Sequence, residues 1–135
     1  YPPELELLGL TGALRERTQG YPQLQVAVEA PEDLPDLPAE IETAVYYITL
    51  EALTNIAKQS QALHCRSRLS LSQTGALDLD ISDNGIGLTP SSSGGLGMLS
   101  MQARAVEVGG TFTVDTLPGK GTAIHVRIPC PAKGG

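Results

Sequence analysis

Residues 46–55 read Tyr-Tyr-Ile-Thr-Leu-Glu-Ala-Leu-Thr-Asn and lie in the most regular segment of the chain. From Pro38 to about Ser60, apolar residues recur at steps of three and four, which predicts one long amphipathic helix. At about 100° per residue, with Ile48 at the centre of the apolar face, Asn55 lies about 20° and Glu51 about 60° from that centre. The helix therefore carries a carboxylate and a carboxamide on or beside its buried face.

These polar side chains need partners, because burying an unpaired carboxylate or amide costs on the order of a few kcal/mol. In the functional interpretation, Asn55 offers its oxygen to Mg²⁺, which prefers hard oxygen ligands, and Glu51 orients or deprotonates an attacking group. Lys58, about 80° from the same axis, could reach a phosphate. The alternatives are a buried hydrogen-bonded pair or a groove rim for the first two residues, and a solvated lysine for the third.

A second signal is an aspartate at the end of an alternating strand. Leu77, Leu79 and Ile81 alternate with polar residues, so the odd positions of this strand are predicted to face inward. Asp83 continues that series, and an inward Asp there could accept a hydrogen bond from the exocyclic amine of adenine. Guanine presents a carbonyl at that position, so such a site would prefer ATP to GTP. The alternative is a simple turn, since Asp-Asn-Gly is a common turn sequence.

Two groups of glycines come after Asp83, one in this turn and one just before the next predicted helix. Gly85 and Gly87 permit left-handed backbone angles and close approach of a ligand. Residues 94–98 read Gly-Gly-Leu-Gly-Met and lead into a helix predicted over 96–108, whose free N-terminal N–H groups would suit a phosphate. The alternative is a flexible linker. No dinucleotide-binding glycine pattern can be drawn here, and the Gly-Lys-Gly-Thr of residues 119–122 lacks the upstream glycine of a P-loop.

The remaining patterns complete the predicted fold, which is of the α+β class. We expect two layers, with a mixed, largely antiparallel sheet and helices packed on one face. The whole chain, 1–135, is predicted to be one domain with a frayed tail at 130–135. The other predicted elements are a helix at 4–19 stopped by Gly20, a strand at 24–28, a hairpin formed by 65–72 and 76–82, and strands at 111–116 and 122–128.

Composition excludes several classes of function. The net charge of −6 argues against a nucleic-acid partner, which would require a basic face. No apolar run approaches the ~18 residues of a membrane-spanning helix, so this chain is not expected to be membrane-embedded. Cys65 and Cys130 lack metal-ligand spacing and are expected to be free thiols. His64 and His125 lie in strand patterns without the helical acidic neighbour of a phosphoacceptor histidine.

The order of these motifs resembles the ATPase fold shared by gyrase B, heat-shock chaperones, mismatch-repair proteins and histidine kinases. The motifs are Glu-x-x-x-Asn, then Asp-x-Gly-x-Gly 28 residues after Asn55, then Gly-Leu-Gly-Met, then Gly-x-Gly-Thr before a strand. The helix of residues 46–55 and the Met-Gln-Ala-Arg-Ala of residues 101–105 look like the nitrate-sensor and desaturase-sensor subfamily of histidine kinases. Pro2-Pro3-Glu4-Leu5 resembles that subfamily's approach from its dimerisation helices.

The resemblance implies a Bergerat-type ATP-binding catalytic domain that uses ATP and Mg²⁺. It implies that Glu51 is the polarising base, that Asn55 is the Mg²⁺ ligand and that Asp83 reads adenine. It further assigns the phosphates and the walls of the pocket to Lys58, Gly85, Gly87, Gly95, Gly97, Met98 and Thr122. Three features depart from the subfamily: Gln59 replaces a His, Tyr47 and Leu50 replace an Arg and a Gln, and the lid between Gly87 and Gly95 is short.

The implied reaction is transfer of the γ-phosphoryl group to a histidine on a separate dimerisation domain, followed by signalling to a response regulator. Residues 1–20 would then be the segment leading from that dimerisation domain in a full-length homodimer. The chain would be the cytoplasmic portion of a sensor, with or without a membrane anchor. Two alternatives remain open at this point: a serine protein kinase of the anti-sigma-factor type, and a degenerate nucleotide-binding module that acts only through partner contacts.

Overall fold

A computed structural model describes residues 1–59, 63–85, 96–117 and 119–130. Helices and strands are mixed along the chain. They are α1 (Pro3–Thr18), β1 (Gln25–Glu29), α2 (Ala39–Gln59), β2 (His64–Leu71), β3 (Ala76–Asp83), α3 (Leu96–Glu107), β4 (Thr111–Leu117) and β5 (Gly121–Pro129). Each predicted helix and strand is present, with ends within one or two residues of those expected.

The five strands form one mixed sheet in the order β1-β2-β3-β5-β4. Only β1 and β2 run parallel, and the other three neighbouring pairs are antiparallel. A parallel pair needs a long crossover, and here the connection from β1 to β2 contains α2. The crossover therefore places α2 against the sheet.

The helices cover one face of this sheet. Helix α1 contacts β1 and α2, α2 contacts β3 and α3, and α3 contacts β4 and β5. The inward residues of the central strands are paired across the sheet, with Leu77 opposite Ile128 and Leu79 opposite Val126. All four of these side chains are at most 1% exposed. The predicted α+β, two-layer architecture is confirmed.

The opposite face of the sheet is polar, and one of its carboxylates is nevertheless buried. Asp78 points away from the helices but is only 7% exposed. Arg127 donates to both of its carboxylate oxygens, at 2.9 and 3.2 Å, and His125 Nε2 lies 3.2 Å from Oδ1. His125 Nδ1 also lies 2.7 Å from Asp80 Oδ1. His125 lies in β5, as its strand pattern predicted, and its imidazole joins a cluster with Asp78, Asp80 and Arg127.

Further expectations from the sequence can be compared with the structure. Helix α1 is interrupted at Gly9, whose φ of 72° lies in the left-handed region, and the sequence pattern did not predict this kink. Cys65 and Cys130 are free, as expected. None of the helices among the described residues combines the length and apolar character needed to cross a bilayer. Residues 131–135, most of the predicted tail, lie outside the described residues, and the single-domain boundary stays a prediction.

Candidate functional site

The central feature of the candidate site is the close contact between α2 and the start of α3. A Cβ atom placed on Gly97 would lie 2.9 Å from Asn55 Nδ2, 3.3 Å from Asn55 Oδ1, and closer still to Glu51 Oε1. Any side chain at Gly97 would therefore displace these groups. Glu51 and Asn55 are both partly buried, one helical turn apart, so the polar pair predicted from the helix does border another element.

Helix α3 presents its N-terminus at this contact. Gly97 is the second residue of the helix, so its N–H belongs to the first turn, where backbone donors have no partner within the helix. These donors and the helix dipole favour an anion. The half-buried Met98 follows in the same turn and packs against the hydrophobic core. A carboxylate, a carboxamide and a helix N-terminus therefore meet at one place.

The second part of the site is the turn at the end of β3. Asp83 Oδ1 accepts a hydrogen bond from the backbone N–H of Gly85 at 2.7 Å, which closes a side-chain-to-backbone turn. Asp83 is half-buried, and its Oδ2 atom is shielded from solvent. The structure thus shows both features that the sequence left as alternatives, an inward Asp and a tight turn, because one carboxylate oxygen holds the turn while the other faces inward.

A thiol lies directly across the sheet from this aspartate. Cys65 is the cross-strand partner of Asp83 and is only 4% exposed. Burial, together with the negative charge of Asp83, raises the pKa of the Cys65 thiol to about 12. The thiol is therefore neutral at physiological pH and adds a small apolar wall beside the carboxylate.

The start of β5 supports the same turn from the other side. Gly121 has φ of 92°, and a Cβ atom there would lie 3.0 Å from the carbonyl carbon of Asp83 and closer still to its oxygen. The next residue, Thr122, is 8% exposed, and its hydroxyl lies 3.2 Å from that of Thr116. Gly121, the neighbour of the Thr122 that the resemblance assigned to the pocket, thus packs directly against the backbone of Asp83.

Sequence reasoning missed a role for Asn84. Its Oδ1 atom accepts hydrogen bonds from the N–H groups of Leu63 and His64, at 3.1 and 3.0 Å. This carboxamide ties the turn to the segment that follows α2. Asn in an Asp-Asn-Gly turn commonly bonds nearby backbone groups, so the motif carried the signal, although its partner 20 positions away could not be inferred.

The structure brings the predicted residues into two groups on the helix-covered side of the sheet. Glu51, Asn55, Gly97 and Met98 lie at the α2–α3 contact, and Asp83, Gly85 and Thr122 lie at the end of β3. Helix α2 contacts β3, so it joins the two groups. Lys58 is exposed in the last turn of α2. The predictions for Gly87 and Gly95 lie outside the described residues.

A divalent cation is compatible with the first group. Within the described part of the chain, no cluster of three or more His, Cys, Asp or Glu side chains could hold a metal by itself. The protein donors are oxygens from Asn55 and Glu51 beside a site suited to phosphate. That set fits Mg²⁺, which is usually bound by one or two protein oxygens together with substrate phosphates and water.

Comparison with known proteins agrees with this arrangement. The family described as "Histidine kinase-, DNA gyrase B-, and HSP90-like ATPase" matches residues 40–132. The oxygen sensor histidine kinase NreB of Staphylococcus carnosus is 30% identical over 135 residues, which cover 95% of this chain and 38% of that protein. An uncharacterized sensor-like histidine kinase of Chloroflexus aurantiacus is 32% identical over 100 residues, covering 69% of this chain and 17% of that protein.

Solved structures show the same fold. Full-length ShkA in complex with AMPPNP superimposes with a TM-score of 0.71 at 22% identity, covering 92% of this chain and 30% of that one. The chain thus spans well under half the length of these relatives. The family match covers more than half of the chain, and the matched segment contains both groups of site residues. The chain therefore belongs to the histidine kinase-, gyrase B- and HSP90-like ATPase family, and its predicted likeness to the ATP-binding domains of sensor histidine kinases is confirmed.

Proposed function

We propose that this domain binds Mg-ATP and donates its γ-phosphoryl group to a histidine on a separate dimerisation domain. The observation that carries the proposal is the convergence of Glu51 and Asn55 on the first turn of α3 at Gly97. Family membership supports ATP as the ligand, and sensor histidine kinases are the relatives named above. AMPPNP, the ligand of the ShkA structure, is an ATP analogue.

Adenine would be read at the end of β3. Asp83 would accept a hydrogen bond from the exocyclic amine, with Gly85 and Gly87 forming close walls and Thr122 supporting the turn from β5. The neutral Cys65 thiol would keep this end of the pocket free of a second negative charge. The carboxylate in this position selects adenine because guanine offers an acceptor where the amine would be.

The phosphates would lie at the N-terminus of α3. Gly95, Gly97 and Met98 would border them, and Lys58 would supply a cation from the end of α2. Asn55 would hold Mg²⁺, which neutralises phosphate charge when bound. Positioning and charge neutralisation supply most of the catalysis in phosphoryl transfer.

In the transfer step, a ring nitrogen of the acceptor histidine forms a bond to the γ-phosphorus as the bond to the bridging oxygen of ADP breaks. Glu51 would orient that imidazole or take the proton from its other nitrogen. The phosphoryl group would then pass to a response regulator. The proposal places the domain in the cytoplasm, where ATP is available, as part of a homodimeric sensor.

The first test is calorimetric titration of this chain with ATP, ADP and GTP, with and without Mg²⁺. We expect binding of adenine nucleotides only, and loss of at least tenfold in affinity for Asp83→Asn. Asp80→Asn is the matched control, because Asp80 lies on the same strand but is exposed on the opposite face. A folded sample that binds no nucleotide, or binds GTP as well as ATP, would contradict the proposal.

The second test adds a purified dimerisation domain from a sensor histidine kinase relative and follows transfer of phosphate from ATP. Phosphohistidine is acid-labile and phosphoserine is acid-stable, so acid treatment separates a histidine kinase from a serine kinase. Glu51→Gln should abolish labelling while ATP binding persists, whereas Glu40→Gln, an exposed change in the first turn of α2, should label normally. Nucleotide binding with no labelling of any acceptor would favour a binding-only module.

A further inference from the structure

The α2–α3 contact has a second point of attachment. The guanidinium carbon of Arg104 lies 4.6 Å from the centroid of the Tyr47 ring, which is cation–π geometry. Tyr47 is 36% exposed, but its neighbour Tyr46 is 3% exposed and meets the Tyr47 ring edge-on, with centroids 5.4 Å apart. A buried ring therefore holds the exposed ring in place, and Arg104 docks onto it.

This pair belongs to the same interface between α2 and α3, called the seam below, as the candidate phosphate site. Tyr47, Glu51 and Asn55 are spaced by four residues along α2, so they share one face. On α3, Arg104 is seven residues after Gly97, about 10–11 Å along the axis, and on α2 Asn55 is eight residues after Tyr47, about 12 Å. The two helices therefore run in opposite directions, and the Tyr47–Arg104 and Asn55–Gly97 contacts together fix how α3 is aligned along α2.

Arg104 has no competing partner among the described residues. The ion pairs found there involve Arg66 with Glu29, Arg127 with Asp78, and His125 with Asp78 and Asp80. Arg104 also lies in the last turn of α3, where a cation is favoured by the helix dipole. Among the described residues, the Tyr47 ring is therefore the group on α2 that binds the Arg104 guanidinium.

We infer that Tyr47 and Arg104 form an interhelical latch that positions the N-terminal turn of α3 over Glu51 and Asn55 for phosphate binding. The inference rests on the proposed function and names two positioning residues for it. The latch acts on α3 and leaves the end of β3 untouched. Loss of the latch should therefore lower the affinity for the phosphates of ATP without altering recognition of adenine at Asp83.

The test measures ATP and AMP affinities of Tyr47→Leu, Tyr47→Phe, Arg104→Met and Arg104→Lys. Tyr47→Leu and Arg104→Met should each weaken ATP binding about two- to fivefold, the range expected for an exposed cation–π contact, with AMP affinity changed much less. Tyr47→Phe keeps an aromatic ring and should bind like wild type, and Arg104→Lys should lie in between. Combining Tyr47→Leu with Arg104→Met should cost no more than either change alone.

Tyr47→Leu separates positioning from charge, because it removes no cation from the surroundings of the phosphates. Gln102→Ala is the matched control for α3, since Gln102 is exposed on that helix and takes no part in the latch. Equal weakening of ATP and AMP by Tyr47→Leu would indicate general destabilisation and overturn the latch. So would unchanged ATP affinity in both Tyr47→Leu and Arg104→Met.

Amide hydrogen exchange keeps the latch testable if the proposed function fails. In nucleotide-free protein, Tyr47→Leu and Arg104→Met should raise exchange at residues 97–101 relative to Gln102→Ala. Wild-type protein that binds no nucleotide would defeat the proposed function, and faster exchange in the variants would still support the latch. Unchanged exchange in both variants would overturn it.

Discussion

Replacing Gly97 by alanine tests the part of the structure on which the proposed function depends most. The added methyl group would lie 2.9 Å from Asn55 Nδ2 and closer still to Glu51 Oε1. Both atoms are at the ends of side chains that can rotate, so the backbone need not move. Repacking costs are usually about 1–3 kcal/mol in a rigid core and should be smaller here. Alanine also stabilises a helix by up to about 1 kcal/mol over glycine.

We therefore expect the free energy of unfolding of Gly97→Ala to stay within about 1 kcal/mol of wild type. Its effect on ligand binding should be much larger, because Glu51 and Asn55 are pushed away from the N-terminus of α3. A hydrogen bond to a charged group contributes about 1.5–3 kcal/mol, which corresponds to a loss of Mg-ATP affinity of roughly 10- to 150-fold. Urea unfolding and calorimetric titration measure the two quantities separately.

Gly110→Ala is the matched control and should give the opposite result. A Cβ atom at Gly110 would lie 2.7 Å from the carbonyl oxygen of Arg127 and 3.1 Å from that of Ala105, and neither backbone atom can rotate away. We expect a loss of about 1–3 kcal/mol in unfolding free energy with Mg-ATP affinity within about twofold of wild type. If Gly97→Ala binds Mg-ATP within twofold of wild type, the Glu51–Asn55–Gly97 contact is not part of the nucleotide site.

Three further predictions concern the sheet. Gly121→Ala should lower the free energy of unfolding by about 2 kcal/mol or more and weaken ATP binding, as measured by urea unfolding and calorimetric titration. Gly119 also has a positive φ, but no atom lies within 4 Å of a Cβ placed there, so Gly119→Ala should cost only about 1 kcal/mol and bind ATP normally. Burial raises the pKa of the Cys65 thiol to about 12, whereas the thiol of the unfolded chain ionises near pH 9. The contribution of the neutral buried thiol to the stability of the folded state is therefore full below about pH 9 and is lost as the pH rises towards 12. The unfolding free energy should therefore fall between pH 9 and 10.5 by on the order of 1–2 kcal/mol more in wild type than in Cys65→Ala. Asp78→Asn should cost about 1–3 kcal/mol in urea unfolding, while Asp80→Asn, on the exposed part of the same face, should cost under about 1 kcal/mol.

The helices and strands could be predicted well because the spacing of apolar residues indicates which face of an element is buried, and each element of this fold has one buried face. Residues 77, 79 and 81 alternate as a half-buried strand must, and the helix around Ile48 has a continuous apolar face. The same reasoning placed Glu51 and Asn55 at the border of that face, where the structure has them. It also identified Asp83 as the inward residue at the end of its strand.

Contacts between distant segments were beyond what a pattern can show. Nothing about Gly97 in the sequence says that it packs on Asn55, because a glycine before a helix is equally compatible with a linker. The burial of Asp78 has the same origin, since it depends on Arg127 and His125, which the fold brings beside it. Asn84 holds the N–H groups of residues 63 and 64, a pairing set by the register of β2 against β3.

The two groups of site residues are held by different parts of the fold, and this division has a functional consequence. Asp83 is positioned by strands, through Gly121 on β5 and through Asn84, whose side chain bonds the start of β2, whereas Glu51 and Asn55 meet α3 where the two helices pack together. The strands are joined by backbone ladders, but the seam is closed by side chains, among them the exposed ring of Tyr47. Because side-chain contacts at a surface are weaker than a backbone ladder, the α2–α3 contact can adjust while the end of β3 stays fixed. Under the proposed function, the phosphates would lie at the adjustable contact and adenine at the fixed one, a division that suits transfer of a γ-phosphoryl group to a histidine on another domain.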